Sequence, residues 1–238
     1  MAVVSRFVID LRLGPRTLEM AAELVASVAV CCTGQSLPLI LVDNHLPYPA
    51  AILQVFGVVQ HRRRRHGHGR FKHPRLKAPP GLWAGVVEKV RNARGRLVEV
   101  KTRALFGRRK DIERRIRRLK IGRQINTAHI ERLNGTLRGQ QARLTRRTRN
   151  GSRLGEMLQW ALWLWRDLYN WVRPHGSLEG RTPALALGLA QELWSIDRYV
   201  RHPVHVSDLQ RELWLEQRQA VLTSALDDYQ RKKRMPTS

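Results

Sequence analysis

The sequence contains few acidic residues for its size. Asp and Glu number 19 against 44 Lys and Arg, so the formal net charge is +25 at pH 7. Such an excess of positive charge repels itself unless a polyanion or counterions lie nearby, which makes nucleic acid the leading candidate partner. Arg greatly outnumbers Lys, and its planar guanidinium suits phosphate and base edges. An Arg-rich composition also follows from a GC-rich coding sequence, and that alternative stays open.

Cysteines and long apolar runs are also scarce. The two cysteines, Cys31 and Cys32, are adjacent, which excludes a disulfide framework or a zinc site built on cysteine pairs. The longest apolar candidate, residues 21–32, is interrupted by Glu23 and is shorter than the roughly 18 residues of a membrane span. No signal peptide is recognisable. The sequence therefore predicts a protein of the reducing cytoplasm without a membrane partner.

The first part of the chain has the patterns of strand, helix and strand. Residues 6–13 alternate in polarity, which predicts a strand. Apolar residues recur every three or four positions from residue 17 onward, which predicts a covering helix. Residues 37–42 are a continuous apolar run typical of a buried strand. Asp43 follows that strand directly, and a carboxylate at a strand's end faces a crevice.

The middle of the chain is first basic and then rich in β-branched residues. Residues 61–77 contain many basic residues and no acid, which predicts a basic loop. We assign its histidines to a DNA-binding surface rather than to a metal site, because no Cys or acid lies near them. Residues 83–106 predict a β-hairpin with Gly95 in its turn. Residues 108–120 form a second basic cluster, of helical character.

A helix predicted over residues 128–149 carries Glu131 in its first turn. On this helix Asn134, Gly135 and Arg138 share the face of Glu131, whereas Ile130, Leu133, Leu137 and Leu144 can point to the core. Gly135 and Gly139 are unfavourable inside a helix and suggest close approach of another backbone or of DNA. Packing is the preferred explanation.

The C-terminal part is predicted to be mostly helical. Residues 154–172 follow a 3.6-residue period, with Trp160, Trp163 and Trp171 flanking the apolar stripe, so core packing is expected there. Further along, Ser207 and Gln210 form a capping-box pattern ahead of a helical, basic tail.

Asp43 and Glu131 are the candidate catalytic carboxylates. A two-metal phosphoryl-transfer site needs hard oxygen ligands brought together from distant chain segments. Each residue also has a plain structural explanation. Asp43 could be a turn residue after a strand, and Glu131 could be a solvated acid that favours the helix dipole.

Three ordered blocks resemble one family, the insertion-sequence transposases of the Asp-Asp-Glu, integrase-core group. LILVDNHLPYPAAILQVFG resembles the segment around the second catalytic Asp, and Asp43 matches that residue. INTAHIERLNGTLRGQQARLTRRTR resembles the segment around the catalytic Glu, matched by Glu131. YNWVRPHGSLEGRTPALALGL resembles the shared ending, whose matched motif residues we take as structural: Tyr169, Asn170, Arg173, Pro174 and His175.

The resemblance implies a transposase that cleaves and transfers DNA strands with two Mg²⁺ or Mn²⁺ ions on Asp43 and Glu131. Its partners would be the element ends, the target DNA and further copies of the chain, in the nucleoid of a bacterial or archaeal cytoplasm. The residues assigned to DNA are Arg62, Arg63, Arg64, Arg65, Arg132, Asn134, Arg138, Arg143, Arg146 and Arg147.

The chain departs from the family pattern at its start. SRFVIDLRLGPRT resembles the second strand of the core, and no acid precedes it where the first catalytic Asp belongs. We therefore expect an N-terminally truncated chain that is inactive by itself, with Asp10 as a possible substitute ligand. The alternative is a non-catalytic DNA-binding remnant or regulator derived from a transposase. An unrelated ribosomal or RNA-binding protein explains the charge but not the three blocks.

The expected fold class is α/β, a ribonuclease-H-like core incomplete at its first strand, with a basic β-rich insertion and a helical C-terminal tail. The expected divisions are residues 1–57 for the N-terminal part of the core, 58–122 for the insertion, 123–195 for the helical part of the core and 196–238 for the tail.

Overall fold

A computed structural model describes residues 1–32, 37–62, 72–145 and 149–202, and the single residues 216, 219, 220 and 223. The strands are β1 (Leu39–Asp43), β2 (Val58–Arg62), β3 (Lys72–Lys77), β4 (Trp83–Arg91) and β5 (Leu97–Phe106). The helices are α1 (Leu18–Cys31), α2 (Pro47–Phe56), α3 (Arg109–Arg118), α4 (Ala128–Gln140), α5 (Gly155–Asp167), α6 (Pro183–Ala186) and α7 (Ile196–Arg201). The fold is thus mixed α/β.

The central sheet joins segments that are far apart in sequence. Its strand order is β1-β4-β5, with β1 parallel to β4 and β4 antiparallel to β5. The predicted hairpin is confirmed as β4 and β5, with Asn92 accepting hydrogen bonds from the backbone of Arg94 and Arg96 in its turn. The sheet therefore contains strands from both sides of the expected division at residue 57. The expected divisions themselves stay predictions.

Helices cover both faces of this sheet. On one face, α1 and α2 bury Ala26, Ile52 and Val55 against Ala84 of β4. On the other face, α3 buries Ile112 and Ile116 together with Val87 and Ile125. These apolar layers fix which strand residues face which helices, since neighbouring residues of a strand alternate between the faces.

A third apolar cluster joins α4, α5 and the N-terminal segment. Leu133 and Leu137 of α4 pack with Leu162 and Trp165 of α5 around Val8. The prediction that Leu133 and Leu137 face the core is confirmed. Ile130 is 37% exposed, so its assignment to the core was wrong.

The predicted strand over residues 6–13 is not a strand in the structure. Side-chain amides take the place of a neighbouring strand: Asn170 binds the backbone of Val8, and Gln159 binds the backbone of Leu11 and Leu13. Alternation of polarity predicts an extended segment, but it cannot supply the partner strand that a ladder requires.

Two further predictions need correction. The arms of the predicted basic loop pair as antiparallel strands β2 and β3; its tip, including His66 and His68, lies outside the described residues. The helix of Glu131 ends at Gln140, with a 3₁₀ turn at Ala142–Leu144, because Gln141 leaves the helical conformation.

The Trp-rich helix α5 is only partly buried. Trp165 is 7% exposed, whereas Trp160 is 56% and Met157 45% exposed. The expected core packing therefore applies to one side of this helix. Within the described residues, no helix is long and apolar enough to cross a membrane. The predicted capping box at Ser207 and Gln210 lies outside them.

Candidate active site

Asp43 is the last residue of β1 and is exposed. Its strand neighbours on the same face, Leu39 and Leu41, pack against the apolar cluster of α3. Since strand residues alternate, Asp43 has the parity of that α3 face; it ends the strand just beyond the apolar layer, where it also lines a cleft beside α1. The register pairs Asp43 with Val87 of β4, which belongs to the same cluster. Among the described residues, no hydrogen bond or ion pair engages its carboxylate.

Glu131 reaches the same face of the sheet from α4. Its Oε2 lies 2.6 Å from Nζ of Lys89, and Thr127 Oγ1 donates a hydrogen bond of 2.5 Å to its Oε1. Lys89 follows Val87 by two residues on β4, so both side chains leave the sheet on the α3 face. The hydrogen bond from Lys89, with that from Thr127, holds the pKa of the Glu131 carboxyl below its ordinary value.

The two candidate carboxylates therefore share one end and one face of the sheet. Asp43 is paired with Val87, and Lys89, which holds Glu131, lies about 7 Å further along the same strand. Parallel pairing of β1 with β4 brings this about, although residues 43 and 131 are far apart in sequence. Sequence reasoning named both acids and missed Lys89 and Thr127.

The donor set fits one hard divalent ion better than two. Carboxylate oxygens suit Mg²⁺ or Mn²⁺, and Mg²⁺ is commonly held by one or two carboxylates with water completing its octahedron. Over the part of the chain that is described, however, no group of three or more His, Cys, Asp or Glu residues comes together. Asp43 and Glu131 would hold the single ion, and the described residues group no further ligand with them for a second ion.

Asp10 is not available as the substitute ligand. Its side chain is 4% exposed, and Oδ2 accepts hydrogen bonds from Arg12 Nε and Ser27 Oγ, each at 2.7 Å. Oδ1 accepts the backbone N–H of Leu11 at 2.8 Å and lies 3.8 Å from Arg166. Two guanidinium groups thus already neutralise this buried carboxylate.

The face of α4 that carries Glu131 is open. A Cβ placed on Gly135 or Gly139 would meet nothing within 4 Å, so packing against another backbone does not explain these glycines. Asn134 is half-buried, while Arg132 and Arg138 are exposed. The open face leaves space for a ligand beside Glu131.

Of the other residues assigned to DNA, only one can be placed. Arg143 is exposed, with Nη1 3.4 Å from Ser152 Oγ. The rest lie outside the described residues or, for Arg62, have an undescribed side chain: Arg62, Arg63, Arg64, Arg65, Arg146 and Arg147.

A shallow cleft of about 200 Å³ adjoins Asp43 on the side of α1. Arg12, Arg16, His45 and Tyr48 are among its lining residues. Arg16 Nη2 lies 3.4 Å from His45 Nδ1, and burial raises the pKa of Tyr48, with the charge of Asp43 adding to the effect. The exposed carboxylate therefore stands beside a basic cleft.

Residues of the third block hold the N-terminal segment in place through hydrogen bonds. Asn170 is 1% exposed and clamps Val8, accepting its N–H at 2.8 Å and donating to its carbonyl at 2.9 Å. Tyr169 stacks on Trp165 and meets the ring of His175 edge-on. Burial lowers the pKa of His175, and Arg173, which is exposed like Pro174, lowers it further.

Comparison with known proteins supports one superfamily. The family model described as the integrase core domain matches residues 114–183, which is less than a third of the chain. The match includes Glu131 and residues 169–183 of the third block, and it leaves Asp43 outside. It supports an integrase- or transposase-type protein of the ribonuclease-H-like superfamily. No curated protein and no solved structure matches the chain.

Proposed function

We propose that this chain is the catalytic part of an insertion-element transposase, with a ribonuclease-H-like core that cleaves and joins DNA strands. The observation that carries the proposal is that Asp43 and Glu131 lie at the same end of the sheet: Asp43 pairs with Val87, and Glu131 contacts Lys89 two residues further along β4. The integrase-core match at residues 114–183 is independent support, because the matched residues do not include Asp43. Asp43 and Glu131 are the proposed ligands of Mg²⁺ or Mn²⁺.

The bound ion would polarise a phosphodiester and activate an attacking hydroxyl or water. The chain's own residues position the DNA around it. Thr127 fixes one oxygen of Glu131 from the start of α4. Arg138, two turns along the same face, is exposed and placed to pair with a DNA phosphate. Open space at Gly135 lets the backbone of the DNA approach between them.

Positive charge on neighbouring surfaces would hold the rest of the duplex. Helix α3 presents several exposed cations beside the sheet: Lys110, Arg114, Arg117 and Arg118. Phosphate contacts of this type supply affinity without reading sequence and weaken as salt rises. The net charge of +25 is therefore consistent with a DNA partner, whether free ends or target.

A non-catalytic DNA-binding remnant is the second candidate. The observations that favour it are the neutralisation of Asp10 by Arg12 and the absence of a third acid beside Asp43 and Glu131 in the described residues. Such a protein would occupy element ends, or join the oligomer of an intact transposase, without cutting.

The deciding experiment is Mn²⁺- or Mg²⁺-dependent nicking of a supercoiled plasmid that carries the DNA flanking this coding sequence. Because no third acid joins Asp43 and Glu131 among the described residues, we expect weak nicking at most by this chain, and loss of that activity in Asp43→Asn and in Glu131→Gln. Glu99→Gln is the matched control, since Glu99 is an exposed acid of the same sheet, also beside a lysine. DNA binding with no metal-dependent nicking by the unsubstituted chain would contradict the enzyme and establish the remnant.

A further inference from the structure

Lys89 contacts Glu131 in the candidate site, and its role there was not predicted from the sequence. Its Nζ lies 2.6 Å from Glu131 Oε2, with the Lys89 and Glu131 side chains 36% and 45% exposed. An ion pair this open to water contributes little to folding stability. Structural support is therefore a weak explanation for a cation at this position.

The backbone of Lys89 is held firmly at the site. The residue lies in the middle of the hairpin ladder, where β4 pairs it with Val100 of β5. Two residues earlier, Val87 pairs with Asp43 and is 4% exposed. The ammonium can swing on its flexible stem, but the stem always starts within reach of Glu131 and two residues beyond the partner of Asp43.

Lys89 and a divalent ion would compete for the same oxygen. Thr127 already engages Oε1 of Glu131, and Lys89 engages Oε2. A metal bound to Oε2 would lie within a few ångströms of the ammonium, and the two positive charges would repel each other. Asp43 has no such competitor among the described residues, so an ion can meet it first.

We propose that Lys89 is a positioning residue that holds Glu131 in the metal-free site and must be displaced before Glu131 can ligate a divalent ion. This inference rests on the proposed function, because it assumes that Glu131 is a metal ligand. Loading of the site is then a competition between an internal cation and the metal.

The test measures the affinity of the full chain for Mn²⁺ from the spin-resonance signal of free Mn²⁺, without DNA. Lys89→Gln should bind Mn²⁺ about tenfold more tightly, since a nearby positive charge is removed. Lys89→Arg should bind as weakly as the unsubstituted chain. Lys101→Gln is the matched control, because Lys101 is an exposed sheet lysine whose Nζ lies 3.4 Å from Glu99; its affinity should not change.

The Glu131→Gln background separates local competition from a general charge effect. There, adding Lys89→Gln should have no further effect on Mn²⁺ affinity, because the carboxylate for which both cations compete is gone. Equal affinities in Lys89→Gln and Lys101→Gln, equal tightening with and without Glu131, or no Mn²⁺ binding by any variant would each overturn the proposal. Tighter Mn²⁺ binding by Lys89→Gln without nicking by any variant would support the role of Lys89 while contradicting the proposed enzyme.

Discussion

Two regions of this molecule place a carboxylate beside a cation, and they differ in exposure. The Asp10 side chain is 4% exposed, between Arg12 and Arg166, whereas the Glu131 side chain is 45% exposed beside Lys89. A buried carboxylate with every oxygen engaged holds the chain together. An exposed one with a single mobile cation can exchange that cation for a ligand. The same residue types thus serve stability in one region and candidate chemistry in the other.

The buried region extends well beyond Asp10. Arg166 Nε also pairs with Asp167 at 2.7 Å, and Tyr199 donates a 3.0 Å hydrogen bond to the other oxygen of Asp167. Ser27 adds α1 to the same network. The N-terminal segment, α1, α5 and α7 are therefore joined by one network of ion pairs and hydrogen bonds. The comparison can be tested by breaking this network.

The largest effect is the difference in stability expected between Asp10→Asn and Glu131→Gln. Each substitution removes one negative charge at nearly constant side-chain size. Asp10→Asn removes the buried negative charge that Arg12 and Arg166 share and should lower the free energy of unfolding by about 3 kcal/mol. Glu131→Gln breaks an exposed pair and should cost less than about 1 kcal/mol. Urea unfolding followed by circular dichroism gives both values, and similar losses in the two variants would remove the distinction between the regions.

Asn170→Ala should have the next largest effect. The substitution removes both hydrogen bonds to Val8 and leaves buried backbone groups unsatisfied, so the expected loss is about 2 kcal/mol. Hydrogen exchange should show faster opening of the N-terminal segment. Asn134→Ala, on the half-buried face near Glu131, is the control and should leave that exchange unchanged.

Gly135→Ala tests the exposed region of this comparison, around Glu131. A Cβ at Gly135 meets nothing within 4 Å, so alanine should stabilise α4 by up to about 1 kcal/mol. If DNA approaches this face, affinity for DNA should fall while stability rises. Gly85→Ala is the contrasting change, because its Cβ would lie 2.9 Å from Ile125 and should destabilise the protein. Unchanged DNA affinity in Gly135→Ala would argue against DNA approaching there.

The smallest expected effect is on folding stability at alkaline pH. Burial, followed by the charge of Asp167 and the hydrogen bond to it, raises the pKa of Tyr199 to about 12. The folded protein then binds more protons than the unfolded chain above the ordinary tyrosine pKa of about 10, so stability should fall between these two values. Tyr199→Phe should show a shallower fall in thermal unfolding over that range. An unchanged slope would mean that Tyr199 is not coupled to Asp167.

Local patterns predicted much of the fold. The helix after Thr17, the strand before Asp43 and the hairpin of β4 and β5 all follow from periodicity and turn residues. The helix of Glu131 was predicted with its start at Ala128 and an end that is too late. The strand expected over residues 6–13 failed because its pattern says nothing about a pairing partner.

The sequence by itself determined the positive charge, most of the element types and the two acids worth testing, because these depend on composition and on residues close together along the chain. Only the tertiary structure decided that β1 lies parallel to β4, which brings Asp43 and Glu131 to one face and sets Lys89 beside Glu131. It also decided that Asp10 is buried among cations. Pairing and burial arise from contacts between distant segments, which no local pattern encodes.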